Sequence, residues 1–374
     1  MKKIEFFYEG LAPLDNLKKL VGSDDALFFD IETTGLSRQK NHIYLIGVGY
    51  YSDLGLNIVQ WFAENESEES LVLKEFLDFS SSFSTIVNYN GKSFDIPFTS
   101  ERISKYGLKM HEFNSIDIHL LVKPLKKILS LDDLTQKSIE RFLKIKRNDK
   151  YNGGELIHVY KHYISSSSPS SDDFDKLILH NKEDVLNMHY LTKILDYNAL
   201  NNIELLYSSH ETQTYNDYLG VKKEELLVYG NHNINTLPSS FNNFINLDTG
   251  AFILNFMNNG ALKIRIPVVS DTLYYYFENY KDYYYLPLEN MCILKSMAGG
   301  VLKENRVNAT KENCRVALSD SFLPIPPKVQ IDAIKVFKSE YKSKNLYIRL
   351  SDFEALSVES KSKILTMYYN LFVQ

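Results

Sequence analysis

Two carboxylates stand one residue apart in the stretch Phe28-Phe29-Asp30-Ile31-Glu32-Thr33-Thr34-Gly35-Leu36. Strand positions i and i+2 share a face, so Asp30 and Glu32 project together from a segment whose Phe28, Phe29 and Ile31 favour burial. Like charges side by side repel, and a hard divalent cation with oxygen ligands would neutralise them. A strand end that reaches solvent would carry the same pair harmlessly. A third acid, Asp95, follows Asn88-Tyr89-Asn90-Gly91-Lys92-Ser93-Phe94 at a predicted helix start. An anion is favoured there, and an N-cap role would serve equally well. His180 and Asp184 lie four apart in a strongly periodic helix, on one face with Leu177, Met188 and Leu191. An acid on an apolar stripe is costly unless paired or metal-bound. A lone histidine there would be read as a satisfied core residue.

The elements that must position these groups follow from patterning. Residues 14–21 read as a short helix ended by Gly22, and Ala26–Ile31 as a strand. Two apolar runs, residues 43–50 and 56–62, read as an antiparallel hairpin. Residues 67–79 read as a helix with Ser67 as N-cap, and residues 85–89 as a strand before an Asn90-Gly91 turn. A three-stranded meander, a helix and a fourth strand beside the first is a mixed α/β arrangement, in the order of ribonuclease-H-like folds. Helices are expected over 98–106, 116–129, 131–143, 156–164 and 174–195, with a polar Ser/Pro connector at 165–171. Asp117 is expected to be an N-cap, and His42, His119 and His189 structural or surface residues. Beyond about residue 203 helical periodicity fades, strands are expected near 262–269, 283–287 and 314–318, and residues 357–372 return to a helix. The expected fold is therefore α/β. A ribonuclease-H-like mixed sheet flanked by helices (residues 1–203) precedes a smaller β-rich α+β C-terminal domain (204–374).

The bulk numbers bound the class. With 374 residues, 44% hydrophobic and 24% charged, the chain resembles an ordinary soluble protein of two domains. A net charge of −5 gives no global basic signature, so any nucleic-acid contact must be local or bridged by metal. Two cysteines, Cys292 and Cys314, are too few for a disulfide framework and form no zinc pattern. Glu5 and Glu9 interrupt the N-terminal apolar run, which argues against a signal peptide, and no stretch is long enough to span a membrane. The cytoplasm and a monomer are the expectations. The run Tyr274–Tyr285, with Lys281, Lys295, Lys303 and Arg306 near it, would either fill a β-rich core or stack bases.

Taken together, Asp30-x-Glu32, Asn90-x-x-x-Phe94-Asp95 and His180-x-x-x-Asp184 resemble the three motifs of the DEDD superfamily of 3′→5′ exonucleases. They look most like the YprB-like branch of bacterial ribonuclease-H-fold proteins, over about residues 25–200. One spacing departs from the histidine subclass, which has four residues between His and Asp where this chain has three. The resemblance implies two Mg²⁺ or Mn²⁺ ions held by Asp30, Glu32, Asp95 and Asp184. Asp30 would bridge both ions, and His180 would be the general base. It implies contacts to a single-stranded or frayed 3′ end from Thr33, Thr34, Gly35 and Leu36, with Asn90 and Lys92 on phosphate or sugar. Plain turn chemistry would account for those six residues as well. DNA repair beside a helicase partner is the setting it suggests. An RNA exonuclease, an endonuclease of the same fold or a non-catalytic nucleic-acid-binding or partner-docking module are the alternatives.

Overall fold

The computed structural model describes residues 1–22, 26–217, 219–234, 237–326 and 334–373. The chain divides into two units, residues 1–126 with 131–198, and residues 127–130 with 199–374.

In the first unit, Ile4, Phe6 and Tyr8 alternate with exposed polar residues and build an edge strand, β1 (Lys2–Glu9), antiparallel to the fourth strand. The strands β2 (Ala26–Thr33), β3 (Ile43–Ser52) and β4 (Gly55–Phe62) form the expected antiparallel meander. Two short strands, β5 (Thr85–Asn88) and β6 (Asn114–Asp117), add in parallel beyond β2, giving the order β1-β4-β3-β2-β5-β6. Around this mixed sheet lie α1 (Asp15–Val21), α2 (Glu69–Ser80), α3 (Asp95–Lys105), α4 (Ile118–Val122), α5 (Gln136–Phe142), α6 (Gly153–Ser165) and α7 (Ser171–Leu191).

Alternation on β2 sorts its side chains. Leu27, Phe29 and Ile31 enter the main core with Val72 and Phe76 of α2 and Leu156 and Tyr160 of α6. Phe28, Asp30 and Glu32 face the other way, toward α7. Glycines on the neighbouring strand let that helix come close. A Cβ on Gly47 would lie 2.0 Å from Asn181 Oδ1, and one on Gly49 would lie 2.9 Å from Val185 Cγ1. Both distances are shorter than packed side chains tolerate.

Three local expectations are corrected. Residues 116–129 are not one helix: β6, α4 and a 3-10 turn at Lys123–Leu125 share them, and Pro124 cannot donate to a continuing helix. The helix expected over 131–143 starts only at Gln136, where Thr135 caps it. Ser67 sits inside a 3-10 turn whose cap is Asn65, so α2 begins at Glu69. Asp117 does cap α4, accepting from the His119 N–H at 3.1 Å.

The second unit is antiparallel and β-rich. It contains β7 (Leu205–Asn216), β8 (Lys222–His232), β9 (Phe241–Leu247), β10 (Gly250–Phe256) and the long β11 (Ala261–Tyr276). The small strands β12 (Tyr283–Leu286), β13 (Met291–Leu294) and β14 (Val307–Asn308) form a separate sheet, and β15 (Arg315–Ile325) and β16 (Leu346–Arg349) follow. The first half of β11 lies between β8 and β10, and its second half pairs with β15. The last elements are α8 (Leu350–Glu354) and α9 (Val358–Val373), which buries Ile364, Leu365, Tyr368, Tyr369 and Phe372. The tyrosine run occupies the end of β11 and all but the last residue of β12 and is half-buried there. Arg315 lies 4.0 Å over the Tyr274 ring, and Lys295 and Arg306 lie over Tyr284. Among the described residues no helix is long and apolar enough to cross a membrane.

Candidate active site

Three elements bring the expected acids together. β2 carries Asp30 and Glu32, the first residue of α3 is Asp95, and α7 carries His180 and Asp184. Asp95 is the first residue of α3 rather than its N-cap, and its Oδ1 accepts from the Ile31 N–H at 3.2 Å. That bond ties the start of α3 to β2 between the two strand acids. Asp30 accepts from Asn181 Nδ2 at 2.7 Å. Gln60 Nε2 donates to Asn181 Oδ1 at 2.7 Å and to the Ile178 carbonyl at 3.1 Å. Asp30, Gly47 and Gln60 are register partners across β2, β3 and β4, so Asn181 spans a row in which only glycine leaves it room.

His180 is buried with both ring nitrogens engaged. Its Nε2 lies 3.2 Å from Asp184 Oδ2 and 3.7 Å from Glu32 Oε1, and its Nδ1 lies 2.8 Å from Asp149 Oδ2. Asp184 is also gripped on the other side, where Arg147 Nη1 donates to its Oδ1 at 2.6 Å. The i, i+4 spacing of His180 and Asp184 therefore brings both groups to one point, although it is one residue shorter than the histidine subclass has.

The electrostatics follow from burial. Asp30 has its pKa raised well above the carboxylate range, first by burial and then by the charges of Asp184, Asp95 and Glu32. Burial lifts Glu32 to about 7 against the opposing pull of His180, and lifts Asp95 to about 7 against two backbone N–H donors. Burial disfavours a charged His180, but Glu32 and Asp184, with the bond to Asp149, outweigh it and raise its pKa to about 9.

A divalent cation fits this site. Among the described residues no salt bridge reaches the half-buried Asp30 or the buried Asp95, so two acids lack a partner charge while their neighbours repel them. Glu32, His180 and Asp184 offer donor atoms that all lie within 4.8 Å of one another. Carboxylate oxygens suit Mg²⁺ or Mn²⁺.

Residues 27–196 match the sequence model of the RNase_H superfamily. The first unit has a ribonuclease-H-like fold. No curated protein matches the chain. Among solved structures, Brucella melitensis NrnC bound to pGG is similar at 16% identity, over 51% of this chain and 79% of that one, with a TM-score of 0.33. NrnC with bound Mg²⁺ gives 17% identity, the same coverage and the same score. The family B DNA polymerase of Pyrobaculum calidifontis is similar at 12% identity, over 92% of this chain and 46% of that one, with a TM-score of 0.37.

In the ribonuclease-H-like unit a cleft of about 640 Å³ ends on His180 and Asp184. Tyr89, Asn90, His119, Gln136 and Lys137 are among the residues that line it. Asn90, at φ 62°, takes the left-handed conformation that asparagine tolerates. Its N–H and that of Lys92 both donate to Asp117, so this acid shapes the turn as well as capping α4. Thr33 and Thr34 are buried with their hydroxyls committed to the following turn: Thr33 donates to the Gly35 carbonyl, and Thr34 accepts from the His42 N–H. Gly35 makes room for Asn41, whose side chain would lie 2.7 Å from an added Cβ. Leu36, by contrast, is 82% exposed.

Asn181, Gln60, Arg147 and Asp149 also build the site, and their signals in the sequence are unequal. Asn181 stood inside the His-Asn-x-x-Asp motif, and Gln60 was the polar interruption in an apolar strand, so both left a signal. Arg147 and Asp149 lie in Lys144-Ile145-Lys146-Arg147-Asn148-Asp149-Lys150, which reads as a solvated charge run.

Proposed function

We propose that the chain is a metal-dependent 3′→5′ exonuclease of DEDD type that hydrolyses phosphodiester bonds of nucleic acid. The observation that carries this reading is the convergence of Asp30, Glu32, Asp95, His180 and Asp184 from β2, α3 and α7, mostly buried, with too little protein cation to neutralise them. Asp30, Glu32, Asp95 and Asp184 would hold two ions, Mg²⁺ or Mn²⁺. Such ions, when bound, stabilise the charge developing on the attacking and leaving oxygens of a phosphodiester. The remaining work belongs to the chain. Asn181 fixes the Asp30 carboxylate through its own bond to Gln60. His180 presents Nε2 beside Glu32 and Asp184, whose charges favour a protonated ring; with those carboxylates committed to cations, the neutral imidazole would take the proton of an attacking water. The cleft beside Asn90 would admit the strand. In this reading Thr33, Thr34, Gly35 and the exposed Leu36 meet the 3′ end, and Asn90 and Lys92 hold phosphate or sugar.

The YprB-like motif resemblance favours DNA with a single-stranded or frayed 3′ end, in repair beside a helicase. One observation favours a second reading. Arg147 already neutralises Asp184, which suits a nucleic-acid-binding module without turnover. Both are separated by incubating 5′-labelled and 3′-labelled oligonucleotides, and a covalently closed circle, with Mn²⁺. The first reading expects a ladder shortening from the 3′ end and an intact circle. Binding without shortening, or a cut circle, would overturn it.

A further inference from the structure

His180 is aimed by a residue outside all three acidic motifs. Asp149 lies in the segment between α5 and α6, and a second acid of α7 fixes that segment. Glu183 accepts from the N–H groups of Asn148 and Asp149, at 3.0 and 2.8 Å. Asp149 Oδ1 accepts from the Tyr151 N–H at 3.0 Å. Its Oδ2 receives Lys137 Nζ at 2.9 Å, Arg147 Nη2 at 3.0 Å and His180 Nδ1 at 2.8 Å. A carboxylate so surrounded by donors is acceptor-only, so the imidazole can meet it only as Nδ1–H. Nδ1 makes the shorter contact, 2.8 Å to Asp149 against 3.2 Å from Nε2 to Asp184, so Asp149 is the closer partner of the ring and Nε2 is the nitrogen turned to Glu32 and Asp184. Arg147 bonds Asp149 and Asp184 at once, so the same segment sets the spacing of imidazole and carboxylate.

Resting on the nuclease reading above, we infer that Asp149 is the positioning residue of this site: it holds His180 in the Nδ1–H form with Nε2 facing Glu32 and Asp184. The three-residue spacing of the His180/Asp184 motif is accommodated because the ring is oriented from outside the helix. Asp149 itself touches neither substrate nor metal in this account. It acts through the imidazole, as the outer partner of a ligand or base does in other sites.

The test is Asp149→Asn with Asp149→Glu beside it, in the full chain. An asparagine can turn its NH₂ toward Nδ1 and so favours the opposite tautomer. The expected result is a kcat lower by about 10- to 100-fold, with oligonucleotide Kd unchanged within about twofold and partial recovery in Asp149→Glu. A readout independent of activity is the ¹⁵N spectrum of His180 in metal-free protein, assigned by its loss in His180→Gln and recorded above the titration of the ring. Wild type should give Nδ1–H and Asp149→Asn should give Nε2–H. If Asp149→Asn does not fold, the wild-type spectrum alone decides. An Nε2–H signal in wild type, or an unchanged kcat in folded Asp149→Asn, overturns the inference. A wild type with Nδ1–H but no nuclease activity would instead overturn the functional reading.

Discussion

The buried acids make the metal-free protein lose stability as pH rises, opposite to the trend of salt-bridged carboxylates. Glu32 rises from 4.5 to about 7 on folding and Asp95 from 3.8 to about 7, in both cases chiefly through burial. A carboxyl raised in this way favours the fold while protonated. That stability is intact below its unfolded pKa and is lost as pH climbs through the folded one. His180, raised to about 9, adds in the same direction, because its charged form is favoured by the fold and that support disappears between 6.5 and about 9. Asp149 is held below its ordinary range and loses its support only in stronger acid. The rise of Glu32 alone corresponds to about 3 kcal/mol. Neutralising one acid relieves the others, so we take about 3 kcal/mol for the cluster. At about 2–4 °C per kcal/mol for a unit of this size, the melting temperature should fall by about 6–12 °C between about pH 5 and pH 8 in EDTA. Mg²⁺ at about 100 times its Kd should return about 2.7 kcal/mol at the higher pH. The assay is thermal unfolding of wild type and Glu32→Gln at both pH values, with EDTA and with Mg²⁺. Glu32→Gln should flatten the pH dependence. Equal melting temperatures for wild type across pH and metal would refute the reasoning.

Two further outcomes follow from the packing. Glu69 is fully buried and accepts from Arg102 Nε at 2.7 Å, the Tyr106 hydroxyl at 2.8 Å and the Ile43 N–H at 2.8 Å. Glu69→Ala strands the Arg102 guanidinium and should cost about 3–5 kcal/mol in urea unfolding, and a loss under about 1 kcal/mol would contradict that role. Gly47→Ala drives a methyl into Asn181 and should cost about 1–3 kcal/mol while also lowering activity, because Asn181 must leave Asp30. Full activity in Gly47→Ala would show that the Asn181 bond does not matter.

The carboxylate constellation of the candidate site was legible where local rules and tertiary demand agree. Asp30 and Glu32 share a strand face, and His180 and Asp184 share a helix face, so spacing alone placed each pair. The mixed sheet was legible for the same reason. What escaped is long-range. Asp149 meets His180 across 31 residues, and nothing in a charged loop announces that one of its acids will be buried. Gln60 and Asn181 lie far apart in sequence, and their bond exists only because Gly47 opens the row between them. β1 carries its signal in the alternation of Ile4, Phe6 and Tyr8 with the exposed Lys3, Glu5, Phe7 and Glu9, the pattern of an edge strand. Pro124 is the local signal that breaks the helix expected over 116–129.

The β2–α3–α7 carboxylates are proposed to form a metal-dependent phosphodiesterase site. Its most direct test compares wild type with Asp30→Ala on a single-stranded DNA oligonucleotide, in Mn²⁺, Mg²⁺ and EDTA, by mononucleotide release. The account predicts release by wild type in either metal, none in EDTA, and a loss of activity in Asp30→Ala with the protein still folded. Equal release by the two proteins, or release that persists in EDTA, would contradict it.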